Sequence, residues 1–151
     1  MSNVRQLLSS KRPGIWTIGP QASVYEALEL MAEKDIGAVL VLDQGRLEGI
    51  FSERDYARKV VLHGKFSRDT TVGELMTQAL FYVTPEQTVE ECLALMTGKH
   101  IRHLPVLEHG RLVGLVSIGD AVKHIIDEQE LTIQHLENYI TGAVVRPSTR
   151  A

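Results

Sequence analysis

The chain has 151 residues, of which 44% are hydrophobic and 23% charged, and its formal net charge is −3. This length corresponds to one domain, or to two very small ones that share a core. The mild negative charge gives no basic field for nucleic acid, and no apolar run approaches the roughly 20 residues of a membrane span. The single cysteine cannot form an internal disulfide, and residues 1–12 are too polar for a signal peptide, so we expect a cytoplasmic protein.

The sequence contains an internal repeat. Pro20–Arg58 aligns with Pro85–Lys123 without a gap, and 16 of the 39 positions are identical. Unrelated segments of ordinary composition would match at roughly one position in fifteen. Two copies are too few for a solenoid, which needs at least about three. Because each unit is marginal by itself, we expect two halves that pack on each other about a pseudo-two-fold axis.

Each copy is predicted to begin with a short apolar strand and an amphipathic helix. The strands are predicted at Ile15–Ile18 and Leu80–Val83, and the helices begin at S/T-x-x-E capping boxes that open with Ser23 and Thr88. Apolar residues then recur at helical spacing. Cys92 lies on this apolar stripe and is therefore interpreted as a core residue rather than a reactive thiol.

A continuous apolar run follows in each copy, at Ile36–Leu42 and at Ile101–Leu107, and is typical of a strand buried on both faces. A glycine-containing hairpin turn then leads to a partner strand and a second helix, so the unit is β-α-β-β-α, twice. A further helix is predicted at Glu128–Ile140. The predicted boundaries are 13–66 and 77–130 for the two repeats, with an N-terminal segment 1–12 and a C-terminal helix and tail 131–151.

The most informative short motif is also duplicated. Gly49–Asp55 and Gly114–Asp120 both read G-x-x-S-x-x-D, where a strand ends and a helix begins. A helix N-terminus and a serine hydroxyl suit a phosphate, and the aspartate can accept hydrogen bonds from the two hydroxyls of a ribose. The alternative is that each Ser-x-x-Asp only caps its helix. Recurrence at one register favours a ligand site, as does the glycine, where a backbone could approach a ligand closely.

Taken together, these features resemble a tandem pair of cystathionine-β-synthase (CBS) domains over about residues 13–130. The residues that carry the resemblance are Pro20, Pro85, Glu29–Met31, Ala94–Met96, Gly45–Asp55, Gly110–Asp120 and Ile101–Val106. The resemblance implies an α+β fold of two repeats packed sheet to sheet, with two clefts between them. It also implies an adenine nucleotide (AMP, ADP or ATP) as ligand, with NAD(H) or S-adenosylmethionine as alternatives.

The resemblance further implies which residues would contact the ligand. Asp55 and Asp120 would hold the ribose hydroxyls, and Ser52 and Ser117 would lie at the phosphate. Adenine would be flanked by the first strand of a repeat, and the middle strands would form the opposite wall. The strand residues concerned are Thr17, Ile18, Tyr82 and Val83 on the first strands and Gly37, Ala38, Val39, Arg102, His103 and Leu104 on the middle strands.

The two copies differ in their cations. The first copy has Arg54 where the second has Gly119, whereas the second has Arg102 and His103 where the first has small residues. These three cations are the candidate phosphate ligands, and we expect one cleft to bind more tightly than the other. The alternative for Arg54 is a solvated residue that pairs with Glu53, and for His103 a partly buried histidine with its hydrogen bonds satisfied.

The sequence favours a regulatory module over an enzyme. It contains no P-loop, G-x-G-x-x-G, G-x-S-x-G or H-E-x-x-H motif, so we expect neither catalytic residues nor a metal site. The expected partners are an adenine-containing ligand, a second copy of the chain and an unidentified protein target. The alternative function is a dimerisation scaffold whose nucleotide sites are vestigial.

Overall fold

The computed structural model describes residues 2–11 and 13–141, and the predicted tail beyond residue 141 lies outside them. The elements of the first half are α1 (Val4–Ser10), β1 (Thr17–Ile18), α2 (Val24–Lys34), β2 (Ala38–Asp43), β3 (Arg46–Ser52), α3 (Glu53–Asp55) and a π-helical segment (Tyr56–Val61). The elements of the second half are α4 (Val72–Leu75), α5 (Val89–Lys99), β4 (His103–Glu108), β5 (Arg111–Ser117) and α6 (Ile118–Thr141).

The strands form two small sheets. In the first, β1 pairs in parallel with β2, and β2 pairs antiparallel with β3; in the second, β4 pairs antiparallel with β5. The strand predicted at Leu80–Val83 is reduced to a single parallel bridge, in which the Val83 N–H donates to Pro105 O at 3.0 Å and Val83 O accepts from Leu107 N at 2.9 Å. The β-α-β-β-α order of the repeat is otherwise as predicted.

Helices α2 and α5 begin at the predicted caps. The Ser23 and Thr88 hydroxyls accept hydrogen bonds from the N–H groups of Glu26 and Glu91, at 3.1 and 3.0 Å. In the predicted capping boxes, these are the hydrogen bonds that the hydroxyl groups accept. The backbone of Ser23 lies in an antiparallel bridge with Thr71.

The second helices of the two repeats differ in length. The helix predicted at Glu128–Ile140 is not separate, because α6 runs without a break for 24 residues. Its sequence holds no proline, and its one glycine, Gly119, lies in the first turn, so nothing interrupts the hydrogen-bond ladder. In the first repeat the equivalent helix changes to a π-helical segment and ends at Val61.

The helix that precedes each repeat packs on the other repeat. Val4 and Leu7 of α1 are buried in the core of the second repeat, beside Val89 and Cys92. Val72 of α4 is buried in the core of the first. Each helix therefore packs on the repeat other than the one that directly follows it in the chain, and we call α1 and α4 the exchanged helices.

Matching backbone hydrogen bonds dock these two helices. The Val4 N–H donates to Gln87 O at 2.8 Å, and the Val72 N–H donates to Ala22 O at the same distance. Gln87 and Ala22 are equivalent in the repeat alignment, but that alignment, continued without a gap, would place Val4 opposite Asp69 rather than Val72. The number of residues between a docking helix and the repeat that follows it therefore differs between the two copies. For this reason the gapless alignment of the two repeats includes neither helix.

The two sheets pack against each other through apolar side chains. Ala38, Leu40 and Ile50 of the first sheet are buried in one cluster against Leu112 and Leu115 of the second. This packing confirms the expected α+β fold of two repeats joined sheet to sheet.

Candidate functional site

Both Ser-x-x-Asp motifs form capping boxes. The Ser117 hydroxyl accepts from the Asp120 N–H at 3.0 Å, and Asp120 Oδ2 accepts from the Ser117 N–H at 2.9 Å. Ser52 and Asp55 make the same two contacts, at 3.1 and 2.9 Å. The capping interpretation is therefore correct for both motifs, and any ligand contact would be additional to it.

A cleft of about 1190 Å³ opens beside Asp120. Gly37 and Ala38 from the first repeat line it, together with Ser117 and Asp120 from the second. His103 also lines the cleft. Five of the predicted site residues, drawn from both repeats, thus meet around one opening that is large enough for a small-molecule ligand.

Asp120 is held by a lysine that the sequence analysis did not single out. Lys11 Nζ donates to Asp120 Oδ2 and to Leu115 O, both at 2.7 Å. Burial acts to raise the pKa of the Asp120 carboxyl, but the hydrogen bonds from Lys11 and Ser117 outweigh it and hold that pKa below its ordinary value. Asp120 is therefore ionised at neutral pH, the form in which its side chain acts only as an acceptor.

His103 contributes a neutral imidazole to the cleft. Burial lowers its pKa below the ordinary value, and the nearby cations Lys11 and Arg102 act in the same direction, against the opposite effect of Asp120. At neutral pH His103 can therefore offer a ligand one N–H donor and one acceptor. The role of His103 at a ligand phosphate stays a prediction.

Asp55 has a different environment from its counterpart. Its Oδ1 forms an ion pair with Lys59 Nζ at 3.1 Å and accepts a hydrogen bond from the Thr77 hydroxyl at 3.3 Å. Its side chain is 14% exposed, against 27% for Asp120. Ser52 and Asp55 are not among the residues that line the cleft. The two motifs, equivalent in sequence, therefore differ in the exposure of their aspartates and in their contact with this cleft.

The remaining predicted residues lie in three kinds of place. Arg54, Arg102 and Tyr82 are exposed and are not part of the lining of this cleft, and β1, which holds Thr17 and Ile18, follows directly after residues that line it. The buried residues Val39, Val83 and Leu104 belong to the apolar cores, so they offer a ligand no side chain. The backbone of Val83 is also used, by the bridge to β4.

The glycines of the motif do not leave room for a ligand at their own Cα atoms. Beside Gly114 that space holds the Leu8 side chain of α1, and beside Gly49 it holds Met76. The close approach that the glycines permit is therefore that of the exchanged helices and not that of a ligand.

Several residues of the cleft were missed by the sequence analysis. Besides Lys11, they include Trp16, an exposed aromatic residue whose ring lies 4.4 Å from Lys34 Nζ. Lys123 and His124 of α6 also line the cleft. Lys11 directly follows α1, and the repeat found in the sequence does not include this segment. Only the structure shows that α1 is equivalent to α4.

Neither a metal site nor a reactive thiol is found among the described residues. Within residues 2–11 and 13–141, no group of three or more His, Cys, Asp or Glu side chains is arranged to hold a metal ion. Cys92 is buried in the core, and burial raises the pKa of its thiol to about 11, which confirms its interpretation as a core residue. No helix of this described part is long and apolar enough to cross a membrane.

Comparison with known proteins identifies the family. The CBS domain family matches twice, at residues 4–62 and 72–127, and the chain belongs to that family. Both matches include the exchanged helices at their N-terminal ends. Proteins of this kind carry regulatory ligand-binding modules and often oligomerise.

Three similar proteins illustrate the range of the family. A CBS-domain protein of Burkholderia ambifaria MC40-6, provisionally assigned to signal transduction, has a solved structure that is 50% identical, with a TM-score of 0.82 and coverage of 85% of this chain and 96% of that one. The mitochondrial CBS-domain protein CBSX3 of Arabidopsis thaliana is 41% identical over 125 residues, which are 80% of this chain but 61% of the plant protein. The hexameric CBS-CP12 protein of bloom-forming cyanobacteria is 28% identical, with a TM-score of 0.71 and coverage of 81% and 70%.

Proposed function

We propose that this chain is a non-catalytic regulatory module that binds an adenine nucleotide (AMP, ADP or ATP) in the cleft beside Asp120. The observation that carries the proposal is the meeting of both repeats around this cleft, with an ionised carboxylate and the positive end of the α6 dipole on one side. A ribose on Asp120 and a phosphate near Ser117 are the ligand groups that match this chemistry.

The same cleft suggests how binding is transmitted. A ligand that touches both repeats favours the packing in which both contacts are made, and it shifts the population of packings by its difference in affinity for them. We propose that a homodimer, in the cytoplasm, passes this shift to an unidentified protein target.

One observation favours a second function, that of a dimerisation scaffold. Asp55 and Asp120 both have a structural role, since each caps a helix and pairs with a lysine. In this alternative the motif stabilises the fold and the cleft binds nothing.

Paired variants decide between these functions. Asp120→Asn and Asp55→Asn each remove one negative charge from equivalent capping boxes. Thermal unfolding of both variants without ligand measures how much each substitution costs the fold, so that an effect on binding can be separated from it. Purified, nucleotide-free protein would be titrated calorimetrically with AMP, ADP, ATP, NADH and S-adenosylmethionine. We expect selective binding of an adenine nucleotide, and a rise of about tenfold or more in its dissociation constant in Asp120→Asn, since a hydrogen bond to a charged group is lost.

The outcomes separate the alternatives. Little change in Asp55→Asn supports the assignment to Asp120, whereas no binding of any compound by the wild-type chain supports the scaffold. A nucleotide that binds equally well to all three proteins would mean that the site lies elsewhere. Release of phosphate from ATP would contradict the non-catalytic assignment.

A further inference from the structure

We propose that Lys11 makes the Asp120 cleft selective for phosphorylated ligands, because its ammonium group exchanges Asp120 for a ligand phosphate when the ligand enters. This inference deepens the proposed function and rests on it.

The first step is a competition for Asp120. Lys11 Nζ lies 2.7 Å from Asp120 Oδ2, within the wall of the cleft. A ribose hydroxyl that donates to Oδ2 therefore competes with the ammonium group for this oxygen. The two side chains are 32% and 27% exposed, so water compensates a displaced charge at this place only in part.

The second step is the fate of the displaced ammonium. Lys11 keeps one acceptor, Leu115 O at 2.7 Å, but loses its counter-ion. A phosphate on the ligand replaces that counter-ion, whereas a nucleoside without a phosphate does not. The flexible four-carbon stem of lysine lets the ammonium turn from Asp120 towards the phosphate while the backbone of α1 stays docked.

The arrangement is confined to one half of the molecule. When Val4 of α1 is aligned with Val72 of α4, the position of Lys11 corresponds to Ala79. Asp55 is paired instead with Lys59, which lies one turn later on its own helix and also donates to Leu75 O at 3.0 Å. Lys59 therefore provides a matched lysine–aspartate pair whose lysine is not part of the cleft lining.

The experiment compares a nucleotide with its nucleoside. Nucleotide-free wild-type, Lys11→Met, Lys11→Arg and Lys59→Met proteins would each be titrated calorimetrically with AMP and with adenosine. Wild-type protein is expected to prefer AMP. In Lys11→Met, AMP binds more weakly and adenosine somewhat more tightly, so the ratio of the two dissociation constants shrinks by about tenfold.

The control variants have definite expectations. Lys11→Arg keeps the charge and should keep most of the preference for AMP, and Lys59→Met should keep the ratio within about twofold. Thermal unfolding without ligand separates a loss of fold from a loss of selectivity. If Lys11→Met does not fold, Lys11→Gln, which keeps a hydrogen-bond donor for Leu115 O without the charge, is tested in its place.

The results that would overturn the inference are distinct from those that would overturn the proposed function. An unchanged ratio in a folded, AMP-binding Lys11→Met protein refutes the role of Lys11 alone. A change in Lys59→Met in place of Lys11→Met refutes it too, and assigns the ligand to the Asp55 side. If wild-type protein binds neither of these compounds and also neither ADP nor ATP, the nucleotide proposal fails and this inference fails with it.

Discussion

Gly49 and Gly114 show how closely the exchanged helices approach the strands. A Cβ atom at Gly114 would lie 2.7 Å from Leu8 Cδ2, at the end of a flexible side chain. A Cβ at Gly49 would lie 2.8 Å from Met76 Sδ and also 2.9 Å from Thr77 O, a backbone atom. Since the backbone atom has less freedom to move aside, the first repeat tolerates an added methyl group less well than the second.

We therefore expect both alanine variants to be destabilised, and Gly49→Ala more than Gly114→Ala. Overpacking of this kind costs about 1–3 kcal/mol of unfolding free energy, which urea denaturation would measure. Gly98→Ala, on an exposed helical position with nothing within 4 Å, is the control and should be stabilised by about 0.5–1 kcal/mol. Equal stability of Gly49→Ala and the wild-type chain would contradict this account of the docking.

Residue-level prediction from the sequence was successful where the chemistry is local. The caps at Ser23 and Thr88 and the burial of Cys92 follow from neighbouring residues, and the structure confirms them. The contact between Lys11 and Asp120 joins positions that are far apart along the chain. No local pattern in either segment indicates that contact, so it could not be predicted.

At the scale of elements, α1 belongs to the core of the second repeat. Leu7 is 1% exposed and packs in that core together with Val4. Lys11 directly follows α1. The packing of α1 on this core therefore determines whether the Lys11 side chain reaches the cleft.

Leu7→Ala is expected to destabilise the second repeat selectively. The cavity left by a buried leucine costs about 2–5 kcal/mol. Hydrogen exchange followed by mass spectrometry should show faster exchange in α5 and β5, and little change in α2. Thr97→Ala, at an exposed position of α5, is the control. Faster exchange in the first repeat would show that α1 does not act on the second repeat alone.

The exchanged helices also explain what the sequence did not predict about the elements. The gapless alignment detects the body of each repeat, whereas Val4–Leu7 and Val72–Leu75 align with each other only when a gap is allowed. A similarity over so few residues, separated by a gap from the rest of the alignment, is too weak to recognise in the sequence. The matching hydrogen bonds that dock the two helices reveal it. The continuity of α6 was missed because its amphipathic pattern changes along its length, from core contacts at Ala121 and Ile125 to exposed residues beyond.

At the scale of the whole molecule, α6 carries an apolar stripe that no described residue covers. Val122, Ile126, Ile133 and Leu136 recur at helical spacing and are 42–57% exposed. A stripe of this kind is typical of a contact with another protein surface. It is the surface that we propose for the homodimer.

Ile126→Glu should shift a homodimer towards the monomer, since it places a charge at the centre of that contact. Sedimentation velocity at several protein concentrations would measure the shift. Gln134→Glu adds the same charge to α6 away from the stripe and should leave the assembly unchanged. If both variants sediment like the wild-type chain, α6 is not the dimer interface.

The overall fold was predictable because duplication constrains it. Two short repeats, each with one buried strand pair, have few ways to cover their apolar faces other than packing on each other, and the sheets do so through Leu40, Ile50 and Leu115. Duplication does not predict how the copies have diverged. The difference between the Asp55 and Asp120 environments comes from the segments around the repeats, where the two halves of the sequence no longer match.

The exchange of α1 and α4 has a consequence for the order in which the protein can be completed during its synthesis. The first repeat receives its docking helix, α4, soon after its own last element ends at Val61. Helix α1 is made first, but its hydrogen-bond acceptors lie at Pro85 and Gln87, and the core that buries it extends to Ala121. The N-terminal segment must therefore wait, undocked, until most of the chain has left the ribosome. The cleft that uses Lys11 can consequently form only after Asp120 and the core around it have been made.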